Sequence, residues 1–225
     1  MTRCLTIIAA GGNGQRVGGT IPKQYINLND KPIVTHCIET FEKSSKIDGI
    51  IIVVASEYYE IMLRIIKQNS FKKIISVVEG GKTRQESVFN ALELKECAQY
   101  DFILVHDAAR PFVSLDIIDS VVNNIVETGC VVPVVAVKDT IKVIEKNGEV
   151  STPNRSSLYA AQTPQGFYSE ILLKAHKQAK NDGFEGYDDS VLTERIGVKT
   201  KLIEGSDSNI KITTKEDLNY AKKGE

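Results

Sequence analysis

Strand-like apolar runs alternate with amphipathic helical stretches along most of the first 137 residues, and few folds tolerate that rhythm. The run at 4–10 is continuous and apolar, as a strand buried on both faces must be. The stretch at 32–43 then places Ile33, Cys37, Ile38 and Phe41 on one helical face. A second buried strand is read at 50–55. A helix at 56–68 carries Ile61, Ile65 and Ile66 as its stripe, and a third strand lies at 74–78. Thr83 and Glu86 have capping-box spacing, so a helix starts there. A fourth strand at 101–105, a helix at 114–128 and an apolar strand at 131–137 follow. Strand and helix in turn predict an α/β fold, a Rossmann-like doubly wound, mostly parallel sheet with helices on both faces.

The pattern changes after residue 137. Residues 139–152 read as a hairpin around Asn147 and Gly148, because Asn-Gly between strand-like runs is a strong turn signal. A hairpin inserted there has little local core to bury, so an arm spanning about 138–155 is expected to pack on a partner subunit. Residues 153–166 return toward the core. Helices at 169–181 and from Asp188-Asp189 to about 195, and a strand at 199–203, come next. Residues 209–213 lead into a last helix, with Thr213 and Glu216 as a second capping box. One domain over 1–225 accommodates all of this, and 225 residues suffice for one sizeable core.

Ligands of open parallel sheets bind beyond the carboxyl ends of the strands. Three polar clusters, at 11–24, 80–87 and 106–111, fall at that edge. The first holds five glycines, Gly11, Gly12, Gly14, Gly18 and Gly19, with Arg16 and Lys23. Glycine allows backbone N–H groups to approach an anion closely, and successive N–H groups form an anion-binding nest. With two cations added, the loop suits several phosphates. It is not a dinucleotide fingerprint from Gly12, since Val17 stands where glycine is needed. It is not a P-loop from Gly14, since Thr20 stands where lysine is needed.

Composition narrows the partners. The net charge of −1 gives no global pull toward nucleic acid or an anionic membrane. The apolar runs are well short of the roughly 20 residues of a membrane helix, and no signal-peptide core opens the chain. Cys4, Cys37, Cys97 and Cys130 are scattered in apolar surroundings with no Cys-x-x-Cys pair, as buried thiols of a reducing cytoplasm would be.

Five motifs occur in order: the glycine loop ending in Pro-Lys-Gln at 22–24, Gly-Gly-Lys-Thr-Arg-Gln-Glu-Ser at 80–87, His-Asp-Ala-Ala-Arg-Pro at 106–111, Thr-Pro-Gln at 163–165 and Asn-Ile-Lys-Ile-Thr at 209–213. Together they resemble the 2-C-methyl-D-erythritol 4-phosphate cytidylyltransferase family over nearly the whole chain. A sister group acts on ribitol 5-phosphate. The resemblance implies that the loop cradles the CTP triphosphate, with Arg16, Lys23 and Lys211 on the reacting phosphates. It implies that Ala10, Gly11, Gly12, Gly14, Gly80, Gly81, Lys82, Ser87, Asp107 and Ala108 bind the nucleotide. It assigns Asp107, Arg110, Thr140, Arg155, Tyr187 and Asp188 to the acceptor, with Thr140 and Arg155 reaching from the arm into the neighbouring subunit of a homodimer. It implies Mg²⁺ or another divalent cation, held by Asp107 or through the phosphates alone.

The chemistry is consistent with those residue types. A phosphate monoester has a second pKa of about 6, so the acceptor is mostly dianionic at neutral pH. It needs alignment and charge neutralisation more than a general base. His106 is therefore expected to orient its loop, and His36 and His176 to be surface or structural residues. Tyr187 stands where most of the family has threonine, and Val17, Val191 and Thr193 also depart from the pattern. Ribitol 5-phosphate or another polyol phosphate stays open as acceptor. Non-catalytic nucleotide binding is a reading of another class, disfavoured by the two loop cations. A glycosyltransferase is disfavoured because the chain lacks Asp-x-Asp.

Overall fold

A computed structural model of the chain describes residues 2–12 and 22–223. Its centre is β1 (Cys4–Ala10), which runs parallel to β4 (Gly49–Val54) on one side and to β6 (Phe102–Asp107) on the other. β5 (Ile74–Glu79) continues the parallel order beyond β4, and β2 (Asn27–Leu28) with β3 (Lys31–Pro32) forms a separate small antiparallel pair between β1 and β4 in the chain. Every residue of β4 and β6 is buried, which is why both read as near-continuous apolar runs.

Side chains of these strands alternate between two cores. Ile8, Ile50, Ile52 and Leu104 face α1 (Ile33–Lys43), α2 (Tyr59–Asn69) and α4 (Leu115–Thr128). Leu5, Ile7, Ile51, Val53 and Ile103 face α3 (Arg84–Leu92) and α5 (Ser169–Asn181). A one-residue slip would exchange the two faces, so the register is strongly specified. Short polar signals set the starts of α4 and α3. Ser114 accepts from Ile117 N at 3.3 Å, and Thr83 accepts from Glu86 N at 3.1 Å. The four cysteines are buried and unpaired, and burial pushes Cys37 up to about 12 and Cys97 up to about 11.

The second half departs from a simple parallel series. β7 (Cys130–Ala136) does not lie beside β6. β11 (Gln165–Tyr168) is inserted between them, antiparallel to both. β10 (Tyr159–Ala161) pairs antiparallel with β7, and β12 (Lys201–Glu204) pairs parallel with it. The sheet is therefore mixed but mostly parallel in its central strands. β10 and β11 escape sequence reading because Tyr-Ala-Ala and Gln-Gly-Phe-Tyr contain no apolar run. β11 lies close against α4, where a Cβ at Gly166 would come within 2.4 Å of Val121.

Two local expectations need correction. The hairpin of the arm, β8 (Val143–Ile144) with β9 (Val150–Ser151), does not turn on Asn147 and Gly148 alone. Glu145 N–H donates to Glu149 at 2.8 Å and Gly148 N–H to Glu145 at 2.9 Å, closing a three-residue loop. Gly148 supplies the positive φ of +85° that such a loop requires. The last helix, α7 (Lys215–Lys223), is capped one residue later than expected. Thr214 accepts from Asp217 N at 3.1 Å and Asp217 accepts in return from Thr214 N at 2.9 Å, a reciprocal pair that Glu216 does not join.

Candidate active site

The carboxyl ends of β1, β4, β5 and β6 open onto a cavity of about 780 Å³. Ala10, Gly11 and Gly12 form the wall after β1. Gly80, Gly81, Lys82 and Ser87 form the wall after β5, and Asp107 and Ala108 the wall after β6. Lys23 and Lys211 reach the same space. Gly14 and Arg16 lie outside the described residues.

Close packing explains the glycines. Ser87 Oγ donates to the Thr83 carbonyl at 2.8 Å and accepts from Gly81 N–H at 3.1 Å. A Cβ at Gly80 would sit 2.8 Å from that oxygen, and one at Gly11 would sit 3.3 Å from it. Glu86 folds back to accept from Lys82 N at 2.6 Å, and a Cβ at Gly81 would collide with it at 2.4 Å. The two glycine segments thus meet over Ser87 with their backbone exposed to the cavity.

Gln24 ties the other wall. Its Nε2 donates to the carbonyls of Ala10 at 2.7 Å and Gly12 at 2.9 Å. The neighbouring Tyr25 ring stacks on Tyr58 with centroids 5.0 Å apart. Lys23 is carried on this anchored turn (Lys23–Tyr25). Lys211 is aimed by its neighbours. Ile212 is buried with Leu28, Ile33 and Leu218, and Ile210 packs against the same cluster. The alternation of an extended segment turns the lysine between them the other way. Its Nζ lies 2.7 Å from Asp107 Oδ2.

Asp107 is the electrostatic hub. Oδ1 accepts from Arg84 Nε at 2.9 Å while Oδ2 meets Lys211. Burial would raise its pKa, but Arg84 and Lys211 outweigh burial and hold the carboxyl well below the usual range. Arg84 also donates from Nη1 to Asp189 Oδ2 at 2.6 Å. Asp189 is buried as well, and Arg84 and His176 outweigh that burial to keep its pKa at about 2. His106 stands directly behind. The Arg110 carbonyl, 3.1 Å from His106 Nε2, can only accept, so Nε2 carries the hydrogen. In the neutral ring Nδ1 accepts from Thr163 Oγ1 at 3.1 Å, and Thr163 Oγ1 accepts from Asp107 N–H at 3.1 Å. Burial lowers His106 to about 4, so the ring is neutral and orients the loop, as the sequence reading expects.

The acceptor residues fare differently. Arg110 is buried; its Nη1 and Nη2 donate to the carbonyls of Asn209 at 2.8 Å and Ala161 at 3.3 Å, and its buried Nε has no partner among the described residues. Asp188 does not offer a free carboxylate. It caps α6 (Asp189–Arg195), taking Val191 N–H and Ser190 Oγ on one oxygen and Gln165 on the other. Tyr187 is 99% exposed. Thr140 and Arg155 are exposed on the arm, where Arg155 donates to the Lys138 carbonyl at 2.9 Å. Within one chain none of these residues lines the cavity. Arg84 and Gln24 were missing from the residues proposed from sequence. Both stand inside the quoted motifs, but their partners are 12 to 105 positions away.

A mostly parallel sheet with a cationic, glycine-walled cavity at its carboxyl edge defines a Rossmann-like nucleotidyltransferase fold. The chain belongs to the IspD family, 2-C-methyl-D-erythritol 4-phosphate cytidylyltransferase, which it matches over residues 4–223. A protein of that name from Alkaliphilus metalliredigens (strain QYMF) is 46% identical over 219 residues, covering 96% of this chain and 90% of its own. One from Clostridium perfringens (strain SM101 / Type A) is 42% identical over 220 residues, covering 97% and 96%. The crystal structure of 4-diphosphocytidyl-2C-methyl-D-erythritolsynthase from Anaerococcus prevotii DSM 20548 superposes with a TM-score of 0.87 at 31% identity, covering 99% of this chain and 95% of that one.

Proposed function

We propose that this chain transfers the cytidylyl group of CTP to 2-C-methyl-D-erythritol 4-phosphate, releasing pyrophosphate, in isoprenoid precursor synthesis. The observation that carries the reading is the meeting of Lys23, Lys211, Asp107 and two glycine walls at one cavity in a chain of this family. A phosphate oxygen of the acceptor attacks the α-phosphorus of CTP. The bond to the β-phosphate oxygen breaks, and pyrophosphate leaves with the electron pair. Lys23, with Arg16 from the loop, neutralises the charge that builds on the phosphates. Lys211 orients the acceptor phosphate, and Asp107 holds Lys211 in place until substrates arrive. The exposed backbone of Gly80 and Gly81, braced by Ser87, reads the cytosine edge.

The donor set suits a divalent cation brought in on phosphates. Among the described residues there is no cluster of three or more carboxylate, histidine or cysteine ligands. Asp107 would contribute one oxygen, and water and phosphate oxygens the others. A bound divalent cation would supply charge neutralisation to the phosphates.

The same reading makes the active form a homodimer. Ile144 at 75% and Val150 at 63% exposure put apolar surface on the arm, and Tyr159 at its base is 53% exposed. Covering that surface with a second copy would bring Thr140 and Arg155 to the partner's cavity. Four buried, unpaired thiols fit a cytoplasmic enzyme. Among the described residues no helix is long and apolar enough to cross a membrane. The test is pyrophosphate release from CTP with 2-C-methyl-D-erythritol 4-phosphate and, in parallel, with ribitol 5-phosphate. Preferential turnover of the first supports the reading, and preference for the second overturns it.

A further inference from the structure

A line of hydrogen bonds runs from the interior of α5 to the cavity wall. His176 is 1% exposed and lies nearly parallel to Phe89, with ring centroids 6.1 Å apart. Its Nε2 is 2.9 Å from Asp189 Oδ1, and because a carboxylate only accepts, Nε2 carries the hydrogen. The opposite oxygen of Asp189 accepts from Arg84 Nη1 at 2.6 Å, and Arg84 Nε reaches Asp107 Oδ1 at 2.9 Å. His176 Nδ1 is buried with no partner among the described residues, which leaves Nε2 as the ring's hydrogen-bonding atom there. Four elements, α5, α6, α3 and β6, contribute one residue each.

Two carboxylates engaged through different nitrogens fix the guanidinium plane, as a planar donor fork allows and a lysine does not. One oxygen of Asp107 is thereby held from behind. The other faces Lys211, which is 41% exposed and belongs to the cavity. A carboxylate among several cations has more than one workable orientation, and partners behind it select one. We propose that His176, Asp189 and Arg84 form a positioning relay that sets the direction of the Asp107 carboxylate. Arg84 is the member that touches it and His176 is the remote anchor. The kinetic consequence rests on the cytidylyl-transfer reading; the geometric one does not.

The test uses the full-length chain. His176→Leu removes the donor and keeps an apolar filling, whereas His176→Gln restores an amide N–H near the position of Nε2. Without ligand, the Arg84 Nε–H cross-peak of a ¹H–¹⁵N spectrum, assigned by its loss in Arg84→Lys, reports the contact with Asp107. It shifts in His176→Leu and returns toward wild type in His176→Gln. With CTP and acceptor, kcat falls about 10-fold in His176→Leu, the scale seen when an outer partner of a site ligand is removed. KM for CTP stays within about twofold, and His176→Gln recovers most of kcat. Asp189→Asn gives the same two readouts if His176→Leu does not fold. A cross-peak and a kcat unchanged from wild type, with only the melting temperature lowered, would overturn the relay and leave His176 a core filler. Absence of pyrophosphate release by the wild type with either acceptor would overturn the functional reading alone, since the spectrum still decides the relay.

Discussion

The half of the site that the proposed function gives to the nucleotide and the half that it gives to the acceptor are built in opposite ways. The first is made of strand ends. Ala10, Gly80, Gly81, Ser87 and Asp107 follow or end three parallel strands, and their contacts are close, part-buried and made within one chain. The second is made of insertions. Thr140 and Arg155 ride on an exposed arm, and Tyr187 projects fully into solvent before a capped helix. On the proposed function, the strand-end half is assembled from one chain, whereas the other half awaits a second copy. Of the departures from the family pattern, Tyr187 is exposed and free of packing constraints, while Thr193 is buried. A Cβ at Gly80 or Gly81 would collide with Ser87 or Glu86.

The sharpest way to break this contrast is Lys23→Ala. Removing a cation that the proposed function puts on the reacting phosphates should lower kcat by about 100- to 1,000-fold while the fold survives in circular dichroism. Near-wild-type turnover would remove Lys23 from the transition state. Asp107→Asn should cost activity about 100-fold. It should also destabilise the fold by about 3 kcal/mol in denaturant titration, because Arg84 loses a buried anion. An activity loss without a stability loss would mean that the two roles separate.

The wall behind the nucleotide also predicts a pH dependence. His106 is held neutral at about 4 in the folded state against 6.5 as its ordinary value. The unfolded chain therefore takes up the proton first. This contribution is fully present above 6.5 and is lost as pH falls from 6.5 to about 4, amounting to roughly 3 kcal/mol at most. His106→Gln should remove that part of the slope in urea titrations at stepped pH.

The acceptor side should respond more weakly and without loss of fold. Ile144→Asp combined with Val150→Asp should convert a dimer to monomer by sedimentation, raise KM for the acceptor about 10-fold and change monomer stability by less than about 0.5 kcal/mol. A dimer that survives would move the interface elsewhere. Tyr187→Thr should do least. It restores a hydroxyl on a short side chain and should lower acceptor KM by about 3-fold, the worth of one modest hydrogen bond. No change would take residue 187 out of the acceptor site.

Most of the nucleotide wall was legible because its signals are local. Gly-Gly before a capped helix is read within a few residues, and so is an apolar run before a glycine loop. Arg84 was visible inside its motif but mute, since an arginine on the first turn of a helix usually means a solvated cation. Its meaning came only with Asp189, 105 positions on. Asp188-Asp189 illustrates the same limit. As a pair the two suggested either a cap or an acceptor contact. In the structure the first caps α6 and the second turns inward to Arg84 and His176.

The sequence by itself determined the alternation of strands and helices, the carboxyl-edge location of the polar clusters and the family to which the chain is similar. These follow from periodicity, glycine chemistry and short-range capping, all of which act between near neighbours. Tertiary structure decided that β11 separates β6 from β7. It decided that Ile210 and Ile212 pack inward so that Lys211 meets Asp107, and that a histidine in α5 is joined to the cavity through three charged residues. Those facts depend on which elements pack side by side. Charge-assisted contacts gain most where water is excluded, and only the assembled fold excludes it.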